Sequence, residues 1–122
     1  MANQTISVFE FQPSFELRSI LINGEPWFFA SDVCNILELK NISDTLGKLD
    51  DDEKGIVLTD TLGGKQNVSI ISESGLYTVI LRHRDATKVG TVPYRFRKWV
   101  TSEVLPSIRK TGKPTHRTVE AR

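Results

Sequence analysis

Between Arg82 and Lys98 the chain sets six cations, Arg82, Arg84, Lys88, Arg95, Arg97 and Lys98, against one acid, Asp85. Tyr94 and Phe96 interleave with Arg95 and Arg97. Guanidinium and ammonium groups neutralise phosphates, and a basic surface of this kind is the electrostatic footprint of nucleic-acid binding. Arg109 and Lys110 add two cations further along. Duplex DNA is the expected partner, held mostly through phosphates, because no helix here offers a clear set of base-reading polar side chains. The plainer reading is a solvated face in which some of these cations pair with acids of the first half. Arg97, nearest the aromatic stripe, is the first expected to do so.

Other chemistries fail on residue type and spacing. His83 and His116 are the only histidines and Cys34 the only cysteine, so no zinc set forms. No cofactor or metal is expected. The run Asp50 to Glu53 lacks the alternating ligands and later Glu of a calcium loop and reads as a solvated turn. Gly63-Gly64-Lys65 does not fit a phosphate loop. Ser72-Glu73-Ser74-Gly75 is not a nucleophile elbow. No catalytic residue is assigned, and the chain is read as a non-enzyme.

The 122 residues fit one domain, and 39% hydrophobic content allows a real core. No window approaches a membrane span, and Met1 to Gln4 do not open a signal peptide. The net charge of +1 hides an asymmetry. Residues 1–60 hold 4 Lys/Arg and 11 Asp/Glu, a net of −7, whereas residues 61–122 hold 12 and 4, a net of +8. The acidic half would suit a basic protein partner, so a protein-interaction module is the alternative function.

These side chains need elements to position them. Alternation predicts strands over Thr5 to Phe11, Phe15 to Ile22 and Trp27 to Phe29, with a break at Pro13-Ser14 and a hairpin at Asn23-Gly24. Ser31 is the expected cap of a short helix reaching about Leu39, and Ser43 or Asn41 that of a second, with Leu46 and Leu49 inward. Such a pair suggests a helix-turn-helix, but Lys48 is the second helix's only cation and an acidic run follows, which would repel phosphates. Ile56 to Leu58 and Val68 to Ile71 read as strands joined through Gly63-Gly64 by more than two residues. Ser72 or Ser74 caps a helix whose buried side is Leu76, Val79 and Ile80 and which ends near Arg82 to Arg84. Asp85 to Pro93 is a loop. Phe96, Trp99, Val100 and Val104 share one helix face, with Arg95, Lys98 and Ser102 opposite. Leu105 before Pro106 predicts a kink and a second short helix capped by Gly112.

Taken together, several blocks resemble a known family. Trp27 to Cys34, Thr61 to Gln66, Ile71 to Tyr77, and Arg97 to Gly112 are similar, in that order, to the blocks of the Bro N-terminal domain, over about residues 6–112. That family occurs in phage antirepressors and insect-virus Bro proteins. The resemblance implies an α+β DNA-binding module, usually followed by a different C-terminal domain, acting in a transcription regulator. It implies the cytoplasm of a bacterial host as the compartment, and leaves a homo-oligomer open. The segment His83 to Tyr94 is longer than in many members, so loop contacts are not carried over. The expected layout is a domain over 1–112 and a flexible tail or linker over 113–122. The chain stops near the usual domain end, which fits a short member or a piece of a longer protein.

Overall fold

The computed structural model describes residues 5–61, 64–111 and 118–120. It is an α+β arrangement: one antiparallel sheet with helices on one face. The strands are β1 (Thr5–Gln12), β2 (Phe15–Ile22), β3 (Glu25–Phe29), β4 (Lys54–Thr61), β5 (Gly64–Ser72) and β6 (Thr118–Glu120), in spatial order β4-β5-β3-β2-β1-β6. The helices are α1 (Ala30–Leu37), α2 (Ile42–Gly47), α3 (Glu73–Arg82), α4 (Val92–Trp99) and α5 (Leu105–Thr111).

Turn chemistry sets the first three strands. Ile22 pairs with Glu25, and the two residues between them, Asn23 and Gly24, have φ of 52° and 81°. That is the double positive φ a tight hairpin needs, and Asn and Gly tolerate it best. β3 runs directly into α1, so the helix begins at Ala30 with Phe29 as its uncapped boundary and Ser31 already inside it. The expected Ser31 cap is therefore replaced by a strand-to-helix junction. Of the other rival caps, Asn41 serves α2 and Ser72 serves α3, each accepting a backbone N–H.

Side-chain alternation splits the sheet into two faces. Phe9, Leu17, Phe28 and Ile71 join Val33, Leu37, Leu76, Ile80, Phe96, Val100, Val104 and Leu105 in the main core. Ile6, Val8, Ile20, Phe29 and Ile70 form a smaller cluster on the other face, flanked by Trp27, Val57 and Val68.

Two expectations change. β4 and β5 are longer than the apolar runs implied: pairing extends to Thr61 opposite Gly64, leaving only two residues between the strands. Their distal halves are polar, so hydropathy alone did not mark them. The second change is at Leu105. The backbone stays helical there, φ −67° and ψ −41°, and α4 continues into α5 through a π-helical segment, Val100–Val104. Pro106 has no N–H to give, and the Leu105 N–H reaches back five residues to the Val100 carbonyl. Thr101 and Ser102 hydroxyls donate to the Arg97 and Lys98 carbonyls, which loosens the regular ladder just ahead of the proline. The helix widens instead of stopping.

Thr118–Glu120, within the stretch read as a tail, pairs antiparallel with β1. The expected Gly112 cap, Gly63 and the rest of that tail lie outside the described residues.

Candidate nucleic-acid interface

Three elements carry the basic cluster: the end of α3, the connection 83–91, and the start of α4. Arg82 closes α3 and is exposed, and Arg84 is 90% exposed beyond it. The connection is built by local bonds. Thr91 caps α4 by accepting the Tyr94 N–H, and its hydroxyl lies 2.8 Å from both the Asp85 and Lys88 carbonyls. The Asp85 N–H donates to His83 Nδ1. Thr91 draws the start of α4 two residues earlier than Tyr94 and places Pro93 in the first turn, where a missing N–H costs nothing.

Arg97 is the fastening of this connection. Its Nε donates to the Ala86 carbonyl at 3.0 Å, and its guanidinium lies over the Tyr94 ring at 5.4 Å. Ala86 itself is 2% exposed. The expected pairing of Arg97 with an acid of the first half is not what forms. Arg97 is half-buried beside the loop backbone, where the Ala86 carbonyl accepts its Nε–H.

The remaining cations stay available at the surface. Asp85 stands 3.4 Å from Lys88 and 4.0 Å from Arg84, contacts that exposure screens heavily. Arg95 points toward the β1–β2 turn, with Nη2 donating to Gln12 Oε1. Lys98 lies one turn on and is exposed. Among the described residues Arg82 and Lys98 make no ion pair.

Arg109 and Lys110 are not part of this cluster. Arg109 pairs with Glu73 in the first turn of α3, while Arg97 pairs just past that helix's last turn. The long α4–α5 helix therefore runs antiparallel to α3. Twelve residues at ~1.5 Å each put Arg109 about 18 Å from Arg97 along the axis.

Tertiary structure adds cations that hydropathy and local charge did not reveal. An open groove of about 400 Å³ lies between α1, α2 and the end of α3, and Lys40, Lys48, Arg82 and His83 line it beside Glu38 and Asp44. Lys40 and Lys48 come from the acidic half of the sequence, so only folding brings them to Arg82. Lys48 sits 3.4 Å from Asp44. Cys34 lies behind this region, 3% exposed, with burial pushing its thiol pKa up and a bond to Thr45 opposing that rise. The Asp50 to Glu53 run is a 3₁₀ turn over Asp51–Glu53 in which Glu53 is tied back to Asp50 and to Ser74. Among the described residues no group of three His, Cys, Asp or Glu side chains is placed to hold a metal. No described helix is long and apolar enough to cross a membrane.

Comparison with known proteins decides the family. The BRO family, N-terminal domain, matches residues 16–106. The chain belongs to this family. BRO N-terminal domains are associated with phage and viral antirepressor-like DNA-binding proteins, a DNA-binding type of domain and not an enzyme family. The matched span includes all of Arg82 to Lys98 and ends before Arg109 and Lys110. An uncharacterized protein of Haemophilus influenzae is 40% identical over 118 residues, covering 93% of this chain and 55% of the relative. The chain thus spans about half the length of that relative. No solved structure matches it.

Proposed function

We propose that this BRO domain binds duplex DNA as the DNA-binding module of a phage, prophage or viral antirepressor-type regulator, working in the cytoplasm of a bacterial host. One observation carries the reading: Arg82, Arg84, Lys88, Arg95 and Lys98 are all exposed around a connection that Arg97 and Thr91 hold in shape. A connection held by its own hydrogen bonds, with Arg84 and Lys88 on it and Arg82, Arg95 and Lys98 on the flanking helices, loses little conformational freedom when it meets a phosphate backbone. Arg97 belongs to the support and not to the contact surface. Arg109 and Lys110, at the far end of the long helix where Arg109 pairs with Glu73, lie outside this contact surface.

Five phosphate contacts give a salt slope near −4.5, so affinity should fall about 500-fold between ~50 and ~200 mM salt. The test is titration of fluorescent duplex of several sequences across that range. Affinity that barely responds to salt would reject the proposal. In that case the acidic surface becomes the better candidate, engaging a repressor protein.

A further inference from the structure

We propose that the chain forms a two-fold dimer by pairing β4 with β4 of a second copy, a proposal that stands apart from the DNA-binding reading. β4 is an edge of the sheet. Its register against β5 is unbroken from Lys54 opposite Ile71 to Thr61 opposite Gly64, with no bulge and no proline along its length. Edges of this length are usually blunted by such devices, because the outward N–H and C=O groups template another strand. Instead β4 turns two large apolar side chains outward, Ile56 at 72% and Leu58 at 55% exposure.

The sequence of β4 is complementary to its own reverse. An antiparallel pair centred on Val57 sets Ile56 opposite Leu58 of the second copy, Gly55 opposite Thr59, and Lys54 opposite Asp60, each twice by symmetry. Lys54, Ile56, Leu58 and Asp60 share one face by alternation. The dimer therefore places two apolar pairs between two ion pairs on that face. On the other face, Val57 packs beside Val68 and Ile70, and its symmetry mate extends that cluster across the dyad. Lys54 already donates to the Leu46 carbonyl and Asp60 already accepts from Lys65. An ammonium has three protons and a carboxylate several lone pairs, so both retain capacity for the second copy. Two strands alone bury less than a standard interface, so the association is weak, in the micromolar range or above.

Sedimentation equilibrium of the 122-residue chain, from low to high micromolar concentration, reads the assembly state. Wild-type protein should shift from monomer to dimer across that range. Lys54→Glu and Asp60→Lys each set two like-charge pairs across the dyad and should weaken self-association about tenfold or more. Mixing the two variants restores both ion pairs, so the mixture should dimerise like wild type while neither variant does alone. Ile56→Arg, at an exposed position that the fold does not need, should give a folded monomer by circular dichroism. Wild-type protein that stays monomeric throughout overturns the proposal. So does dimerisation that survives Ile56→Arg, or a mixture of folded charge variants that remains monomeric.

Discussion

Arg18 and Asp32 meet as a two-pronged ion pair: Nε and Nη2 of Arg18 donate to Oδ2 and Oδ1 of Asp32, each at 2.8 Å. The Arg18 backbone N–H donates to the same carboxylate at 2.9 Å, and the guanidinium lies 4.5 Å above the Phe29 ring. One carboxylate in the first turn of α1 is thus fastened to the middle of β2. The hydrogen bond to Asp32 is the main reason the Arg18 guanidinium holds its proton more tightly than usual. Asp32→Asn loses the charge but keeps the shape. With the Arg18 side chain 41% exposed, solvent moderates the loss, and the cost should be about 1–3 kcal/mol by urea denaturation. Arg18→Lys, which cannot make the fork, should cost a similar amount.

Gly75 faces the 3₁₀ turn so closely that a Cβ built on it would lie 2.8 Å from the Glu53 carbonyl oxygen and 3.3 Å from Glu53 Cβ. In an open helix Gly→Ala stabilises by up to ~1 kcal/mol. Here the obstructing atom is backbone, and the turn is anchored on both sides by the Asp50–Glu53 capping box and the Ser74–Glu53 bond. Steric cost should reverse the sign. Gly75→Ala is expected to destabilise by about 1–3 kcal/mol, read from thermal melts. A raised melting temperature would show that the turn yields easily.

Glu53 makes that turn sensitive to pH. It accepts the Asp50 N–H and, second in weight, the Ser74 hydroxyl, and these bonds hold its pKa below the ordinary 4.5. A depressed carboxylate contributes stability that is fully present above the unfolded value and disappears as pH falls through the lower folded value. Melting temperature should therefore drop as pH goes below about 4.5, and Glu53→Gln, which lacks the ionised form at every pH, should melt below wild type near neutral pH, converge with it in acid and so flatten that limb. An unchanged acid limb in the variant would assign the pH response to other carboxylates.

Trp99 is only half-buried, yet its ring lies 5.2 Å from Phe11, 6.0 Å from Phe96 and 6.5 Å from Phe9, centroid to centroid. It joins the long helix to β1 at the edge of the main core. Trp99→Ala should cost about 2–4 kcal/mol, less than a fully enclosed tryptophan because part of the ring already meets water. Chemical denaturation measures it, and a loss under ~0.5 kcal/mol would make the ring a surface ornament with no packing role.

Features set by neighbours in sequence were legible, and features set by distant neighbours were not. Asn23-Gly24 announced its hairpin because backbone conformation there depends on those two residues alone. The stripe of Phe96, Val100 and Val104 showed its buried side by spacing. Arg97 shows the opposite case. Its charge was visible, but its partner is a carbonyl eleven positions away in an irregular connection, which no periodicity encodes. Lys40 and Lys48 lay in an acidic context, and only the fold sets them in one groove with Arg82 at the end of α3. The pre-proline preference at Leu105 was overridden because the helix widens into a π-helical segment there, with the Leu105 N–H bonded to the Val100 carbonyl.

The division of labour among the basic residues gives the sharpest test of function. Arg84→Ala, Arg95→Ala and Lys98→Ala each remove one exposed cation, so each should lower the salt slope of DNA binding by ~1 and weaken all duplexes alike. Stability should change by less than ~0.5 kcal/mol in these three variants. Arg97→Ala should behave differently. It removes the bond to the Ala86 carbonyl and the stack on Tyr94, costing about 1–3 kcal/mol of stability and loosening the loop that carries the others. Its DNA affinity should fall by more than one phosphate contact explains, and Arg97→Lys should recover charge without recovering the fixed geometry. Arg109→Ala, with Glu73 as its partner at the opposite end of the helix, should leave the slope unchanged. A loss confined to one base pair in any variant would mean that its side chain reads a base, at about 1–3 kcal/mol. DNA affinity unchanged from wild type in all of Arg84→Ala, Arg95→Ala and Lys98→Ala, with folding intact, would remove the interface from this end of the molecule.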